Sequence, residues 1–232
     1  MIIEMIAPPQ VAVIDLDGVT YPFNAEYKKA CLAALARSTR FAVADRFNGK
    51  IHDAENYISG HGLHAPSIPR GLDRLVGHAR RSLTTDFIKP APLLAQHIKH
   101  LRRPTFVLSN SDPLWIDAVL EKRGLADVIP PNRRLSAPLD LGHRKRHQQA
   151  YRELAAKLQI KDPARILMVD DEPENLQAAH KAGLATALAG TLSKTQQNNL
   201  AATGYINIIA PDLKTLLNLL FPLPTPQPGA KP

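Results

Sequence analysis

Two aspartates separated by one residue, Asp15 and Asp17, directly follow an apolar run in VAVIDLDGVTYP (residues 11–22). Unit charges about 4 Å apart repel by about 1 kcal/mol in water and about 4 kcal/mol near a protein surface, so a positive group is expected beside them. Such a pair can divide a reaction, one carboxylate attacking as nucleophile and the other giving and taking a proton. The same stretch also reads as a strand end followed by an Asp-Gly turn, with Gly18 supplying the backbone freedom. Two later stretches repeat the design. TFVL (105–108) runs into Ser109-Asn110-Ser111-Asp112, and RILMV (165–169) runs into Asp170-Asp171-Glu172.

The elements that must position these groups are strands of one sheet. Uninterrupted apolar runs, as opposed to polar/apolar alternation, mark parallel strands covered on both faces. In open α/β sheets the ligand crevice lies beyond the carboxyl ends of the strands. Three strands ending in acid, hydroxyl or amide groups therefore converge on one crevice, which a chance Asp-Gly turn does not explain. Helical spacing is expected over 25–37, 70–83, 93–101, 114–121, 147–158, 173–182 and 212–220. Further strands are expected at 185–188 and 205–209, and 128–139 reads as a Pro- and Arg-rich loop. Residues 8–22 and 88–220 thus form an α/β core with a parallel sheet, and 23–87 a mainly helical insertion after the first strand. The Pro-rich end, 221–232, reads as disordered.

Asp15, Asp17, Asp170 and Asp171 make an all-oxygen, hard donor set that suits Mg²⁺. Ser109 and Asn110 at the second strand end, with Lys145, offer donors and a positive charge for an anion. An anion held between a divalent metal and a lysine is most simply a phosphate. Asp15 would then attack phosphorus and Asp17 serve the leaving oxygen, while Lys145 offsets charge on the phosphoryl oxygens. Arg144 or Arg146 could take the place of Lys145 electrostatically. In the insertion, His61, His64 and Arg70 stand in or beside a Gly-, His- and Pro-rich loop. They are candidates to reach the substrate if the insertion closes as a lid hinged near 21–23 and 85–89; the alternative is a solvent-exposed loop.

The chain has 29 Lys and Arg against 21 Asp and Glu, a formal net charge of +8. That excess favours an anionic partner, but the basic residues are dispersed and aromatics are few, which argues against nucleic acid. Cys31 is the single cysteine, so an internal disulfide framework is excluded and a reducing, cytoplasmic setting is expected. No apolar run approaches the roughly 20 residues of a membrane span. Glu4 and the Pro8-Pro9 pair are unlike a signal peptide.

Four ordered segments, Asp15-Leu16-Asp17-Gly18-Val19-Thr20, Ser109-Asn110, Lys145 and Asp170-Asp171, resemble the motifs of the haloacid dehalogenase-like hydrolases. The resemblance implies a Rossmann-like core with a helical cap, Mg²⁺ dependence and an aspartyl-phosphate intermediate. It gives Asp15 as nucleophile, Asp17 as acid/base, Ser109 as phosphate-binding hydroxyl, Lys145 as stabilising cation, and Asp170 and Asp171 as metal acids. The second acid, Asp17, sets the chain apart from the dehalogenase branch. DLDGVTYP, Arg70-Gly71-Leu72 and Lys145 six residues before Tyr151 are similar to the pyrimidine 5′-nucleotidase group, although Arg146 stands where that group usually has Pro. A small phosphorylated metabolite, such as a nucleoside 5′-monophosphate, is the implied substrate. A phosphomutase or phosphotransferase outcome and a non-catalytic phosphate-binding regulator are the alternatives.

Overall fold

The computed structural model describes residues 8–22, 24–41, 53–58, 72–101 and 103–221. At its centre is β1 (Val11–Ile14), whose four residues are all buried. It pairs in parallel with β2 (Thr105–Ser109) on one side and β4 (Ile166–Asp170) on the other. β3 (Arg134–Ser136), β5 (Ala185–Ala189) and β6 (Ile208–Ala210) complete a six-stranded parallel sheet in the order β3-β2-β1-β4-β5-β6. The expected α/β class with a parallel sheet is present.

The apolar runs are explained by two covering layers, because successive residues of a strand face opposite ways. Val11, Val13, Ile166 and Met168 pack with α7 (Gln148–Lys157) and α8 (Pro173–Lys181) through Tyr151, Leu154 and Leu176. Ile14, Val107, Leu167 and Val169 pack on the other face with α4 (Pro92–His100), α5 (Pro113–Arg123) and α10 (Leu213–Leu220). Each fully buried Val, Leu or Ile contributes roughly 1.5–3 kcal/mol, so the strand centre is fixed firmly.

Between β1 and β2 lie α1 (Ala25–Phe41), α2 (53–58) and α3 (Asp73–Ser82). Tyr27, Cys31, Ala34 and Leu35 of α1 meet Ala54 and Ile58 of α2 and Val76 and Ala79 of α3, all buried and continuous with one sheet face. Rings from this region reach the sheet end: Phe87 meets Tyr21, Tyr27 and Trp115 at centroid distances of 5.9, 5.4 and 6.4 Å. That aromatic cluster fixes Tyr21 and Trp115 beside the residues that follow β1. Cys31 is buried in that helical core, as a structural cysteine would be.

Two parts of the chain differ from expectation. The stretch 128–139 is not simply a loop: it holds a 3₁₀ turn (Pro131–Arg133), β3 and a short helix, α6 (Ala137–Asp140). β3 is a three-residue edge strand anchored by Arg134, whose guanidinium donates to the Ile129 and Ala126 carbonyls and to Asp117. An additional helix, α9 (Lys194–Ala201), has no buried residue and is set by a capping box in which Ser193 and Gln196 exchange side-chain and backbone hydrogen bonds. Among the described residues no helix is long and apolar enough to cross a membrane.

Candidate active site

The carboxyl ends of β1, β2 and β4 meet as the topology requires. Asp15 continues β1, its N–H donating to the Val169 carbonyl at 2.8 Å. Gly18 then turns the chain with φ +85°, a left-handed conformation that favours glycine. The Thr20 N–H and hydroxyl both return to the Leu16 carbonyl, at 3.0 and 2.6 Å. This tight loop presents Asp15 and Asp17 in different directions.

Asp15 faces charge. Its Oδ1 accepts from the Leu16 N–H at 2.7 Å and lies 2.6 Å from the Lys145 Nζ. The same ammonium donates to Asp170 Oδ2 at 2.9 Å. Asp170 Oδ1 accepts from the Glu172 N–H at 2.9 Å and from Asn175 Nδ2 at 3.0 Å. These bonds are organised by the start of α8, where Pro173 occupies the first turn. The Lys145 backbone N–H donates to Asn110 Oδ1 at 3.0 Å, tying the loop before α7 to the end of β2.

Electrostatically this half of the site is crowded. Burial alone would lower the pKa of Lys145, but the Asp15 and Asp170 carboxylates outweigh it and hold the ammonium well above the usual lysine range. Burial pushes Asp15 well up, Lys145 pulls it back, and Asp170, Asp171 and Asp17 push it further up. Asp171 is raised chiefly by burial and then by Asp170.

One ammonium faces three carboxylates here, so a second positive charge would relieve the site. Asp15, Asp170 and Asp171 each turn a carboxylate oxygen to within 4.8 Å of the others. Among the described residues Asp171 Oδ1 is buried without a hydrogen-bond partner, as is Asn175 Oδ1. An all-oxygen set with an orphaned buried acceptor fits a hard divalent cation such as Mg²⁺.

Asp17, expected among the metal acids, is not in that group. Its Oδ1 accepts from Trp115 Nε1 at 3.0 Å and from the Tyr21 hydroxyl, and its Oδ2 from Ser109 Oγ at 3.1 Å and Ser111 Oγ at 2.9 Å. The loop turned by Gly18 aims this carboxylate at the β2 end, where neutral donors satisfy it. Ser109 and Asn110 therefore engage Asp17 and the Lys145 backbone. Arg146 points to Glu172 and Glu174 at 3.9 and 3.8 Å, so it does not replace Lys145 against Asp15. His61, His64 and Arg70 lie outside the described residues.

Tyr21, Ser111 and Trp115 were not among the expected site residues. Ser111 stands in the Ser109–Asp112 stretch after the second apolar run, whereas Trp115 falls within the helical run 114–121 with nothing to mark it as a site residue. Tyr151 was equally unforeseen: it is fully buried, its hydroxyl has no hydrogen-bond partner among the described residues, and burial followed by Asp170 and Asp15 pushes its pKa well up.

The sequence agrees with this geometry. A model of the haloacid dehalogenase-like hydrolases, a hydrolase family, matches residues 9–183. The chain belongs to that family. Solved structures with the same fold as this haloacid dehalogenase-like hydrolase include a family member from Deinococcus radiodurans with bound phosphate and sodium. It is 20% identical over 94% of this chain and 98% of that one, with a TM-score of 0.57. The L-2-haloacid dehalogenase of Xanthobacter autotrophicus with covalently bound chloropropionic acid is 20% identical over 91% and 98%, with a TM-score of 0.54. The β-phosphoglucomutase of Clostridium difficile is 15% identical over 90% and 93%, with a TM-score of 0.54. At these identities the likeness establishes the fold. No curated protein sequence matches the chain.

Proposed function

We propose that this haloacid dehalogenase-like hydrolase is a Mg²⁺-dependent phosphatase of a small phosphate monoester. The observation that carries the reading is the cluster of Asp15, Asp170 and Asp171 with Lys145 at 2.6 Å from Asp15. Asp15, Asp170 and Asp171 would hold the cation, which supplies positive charge for the phosphoryl oxygens. Among the described residues Asp15 Oδ2 has no hydrogen-bond partner, which leaves it available to attack.

Asp15 Oδ2 forms a bond to phosphorus as the bond to the leaving oxygen breaks, and that oxygen takes a proton from Asp17. Water then attacks phosphorus, Asp17 takes its proton, and the aspartyl–phosphorus bond breaks to release phosphate and restore Asp15. Lys145 holds the Asp15 carboxylate in place and offsets charge on the phosphoryl oxygens. Asp17 accepts hydrogen bonds from Tyr21, Ser109, Ser111 and Trp115, so it must exchange at least one of them to reach the leaving oxygen. Helices α1–α3 would form the cap over this chemistry, and a nucleoside 5′-monophosphate is one candidate substrate. The second acid beside the nucleophile favours phosphoryl transfer over dehalogenation.

Phosphate release from a panel of phosphate monoesters with Mg²⁺ tests the reading. Wild type should release phosphate, and Asp15→Asn should lower the rate by at least about 10³-fold. Product phosphorylated at a second position without free phosphate would point to a mutase or transferase. Equal, negligible rates for both proteins would leave a phosphate-binding regulator.

A further inference from the structure

We propose that Trp115 is a positioning residue for the acid/base step: its indole N–H anchors Asp17 Oδ1, so that Asp17 Oδ2 is the oxygen that serves the leaving group, seated in the cavity beside Ser111. The inference rests on the phosphatase reading and deepens it, giving the two oxygens of one carboxylate separate duties.

The donors that meet Asp17 are of two kinds. Oδ1 accepts from Trp115 Nε1 at 3.0 Å and from the Tyr21 hydroxyl, whereas Oδ2 accepts from Ser109 Oγ at 3.1 Å and Ser111 Oγ at 2.9 Å. An indole N–H can only donate, while a serine hydroxyl can turn from donor to acceptor. The oxygen met by Trp115 therefore stays an acceptor. The oxygen met by the two serines can hand over a proton and take one back while its hydroxyl partners turn to suit.

Packing separates the two sides in the same way. Trp115 is buried and stacks on Phe87 at 6.4 Å, and Phe87 meets Tyr21 at 5.9 Å. The Trp115 backbone is fixed as well, its N–H donating to Asp112 Oδ1 at 3.0 Å at the start of α5. On the other side Ser111, bonded to Oδ2, lines a cavity of about 210 Å³ where α3 meets the ends of β2 and β3. Arg80, whose charge also acts on Asp17, borders the same cavity. A larger cavity, about 830 Å³, is bordered by Tyr21 and Asp171 on the β5–β6 side. A leaving group seated there would call on Oδ1 instead.

In the first half-reaction the bond from phosphorus to the leaving oxygen breaks with its electron pair on that oxygen, which takes the proton from Oδ2 and departs as a neutral alcohol. In the second, Oδ2 takes a proton from the attacking water and the acid is restored.

The test compares kcat/KM for p-nitrophenyl, phenyl and benzyl phosphate with Mg²⁺, a series in which the leaving oxygen needs a proton increasingly. Positioned acid/base groups contribute roughly 10²–10⁴-fold. Trp115→Phe, which keeps a ring against Phe87 but removes the N–H, should therefore lower the rate on benzyl phosphate at least tenfold more than on p-nitrophenyl phosphate. Tyr21→Phe, which deletes a single hydroxyl from the same oxygen, should shift the series in the same direction and carries the test should Trp115→Phe fail to fold. Ser111→Ala should change the benzyl to p-nitrophenyl ratio less than threefold. A loss equal for all three esters in both ring variants would make Trp115 merely structural. A ratio that changes tenfold in Ser111→Ala and not in the ring variants would make Oδ1 the working oxygen. Either result would overturn the inference and leave the phosphatase intact, whereas no turnover of any ester by the wild type would overturn both.

Discussion

Asp15 and Asp17 are two residues apart, yet their carboxylates are held by opposite means. On the β1–β4 side, Asp15, Asp170 and Asp171 are balanced, among the described residues, by the buried ammonium of Lys145. On the β2 side, Asp17 is met by neutral donors from Tyr21, Ser109, Ser111 and Trp115. Both carboxylates are almost fully buried, at 4% and 7% exposure. The first half is under-compensated and built to accept more positive charge. The second is met by hydroxyl and indole donors, with the Arg80 charge also acting on it. The contrast separates a region whose stability should respond to a divalent cation from one whose stability should not.

The largest break in this comparison is Lys145→Met. Removing one partner of a buried ion pair leaves the other uncompensated, which typically costs about 3–5 kcal/mol, and here two carboxylates lose the same partner. Urea unfolding of the metal-free protein should show a loss of that size, reduced when Mg²⁺ is present. A loss below about 1 kcal/mol would mean that Lys145 is not what balances the cluster.

Next in size is Asp171→Asn. A carboxylate whose pKa is raised by burial and by Asp170 is a burden to the metal-free fold, so the amide should leave metal-free stability unchanged or slightly higher. Its effect should emerge with the cation. Ligand at 100 times its Kd stabilises the wild type by about 2.7 kcal/mol, and the variant should lose most of that gain in a Mg²⁺ titration followed by thermal unfolding. A full gain in the variant would remove Asp171 from the cation site.

The two halves also differ in how legible they were. The apolar runs before Asp15, Ser109 and Asp170 are parallel strands buried on both faces, so the strand ends and the acids on them could be read directly. Asp170, Asp171 and Lys145 come together because those strand ends and the loop before α7 share one edge of the sheet. The partners of Asp17 could not be read that way. Helical spacing places Trp115 among the buried positions of α5, but which polar atom its indole N–H meets depends on the turn at Gly18. β3 was missed because Arg134-Leu135-Ser136 offers no apolar run, its edge position being secured by Arg134. α9 was missed because it buries nothing; its signal was the Ser193–Gln196 capping box, not a stripe.

Ser111→Ala gives the smallest effect and the sharpest contrast. It removes one of the donors to Asp17 Oδ2, which also accepts from Ser109 at 3.1 Å. A hydrogen bond to a charged group is worth about 1.5–3 kcal/mol, and the remaining donors should relax toward the carboxylate, so a loss of about 1–2 kcal/mol is expected. Because the deficit arises among neutral donors on the β2 side, urea unfolding should give the same loss with and without Mg²⁺. If Mg²⁺ instead restored the lost stability, Asp17 would have joined the cation cluster once freed, and the division between charge-balanced and dipole-balanced halves would fail. A loss indifferent to the cation means that the turn at Gly18 holds the two carboxylates apart even when one of their anchors is gone.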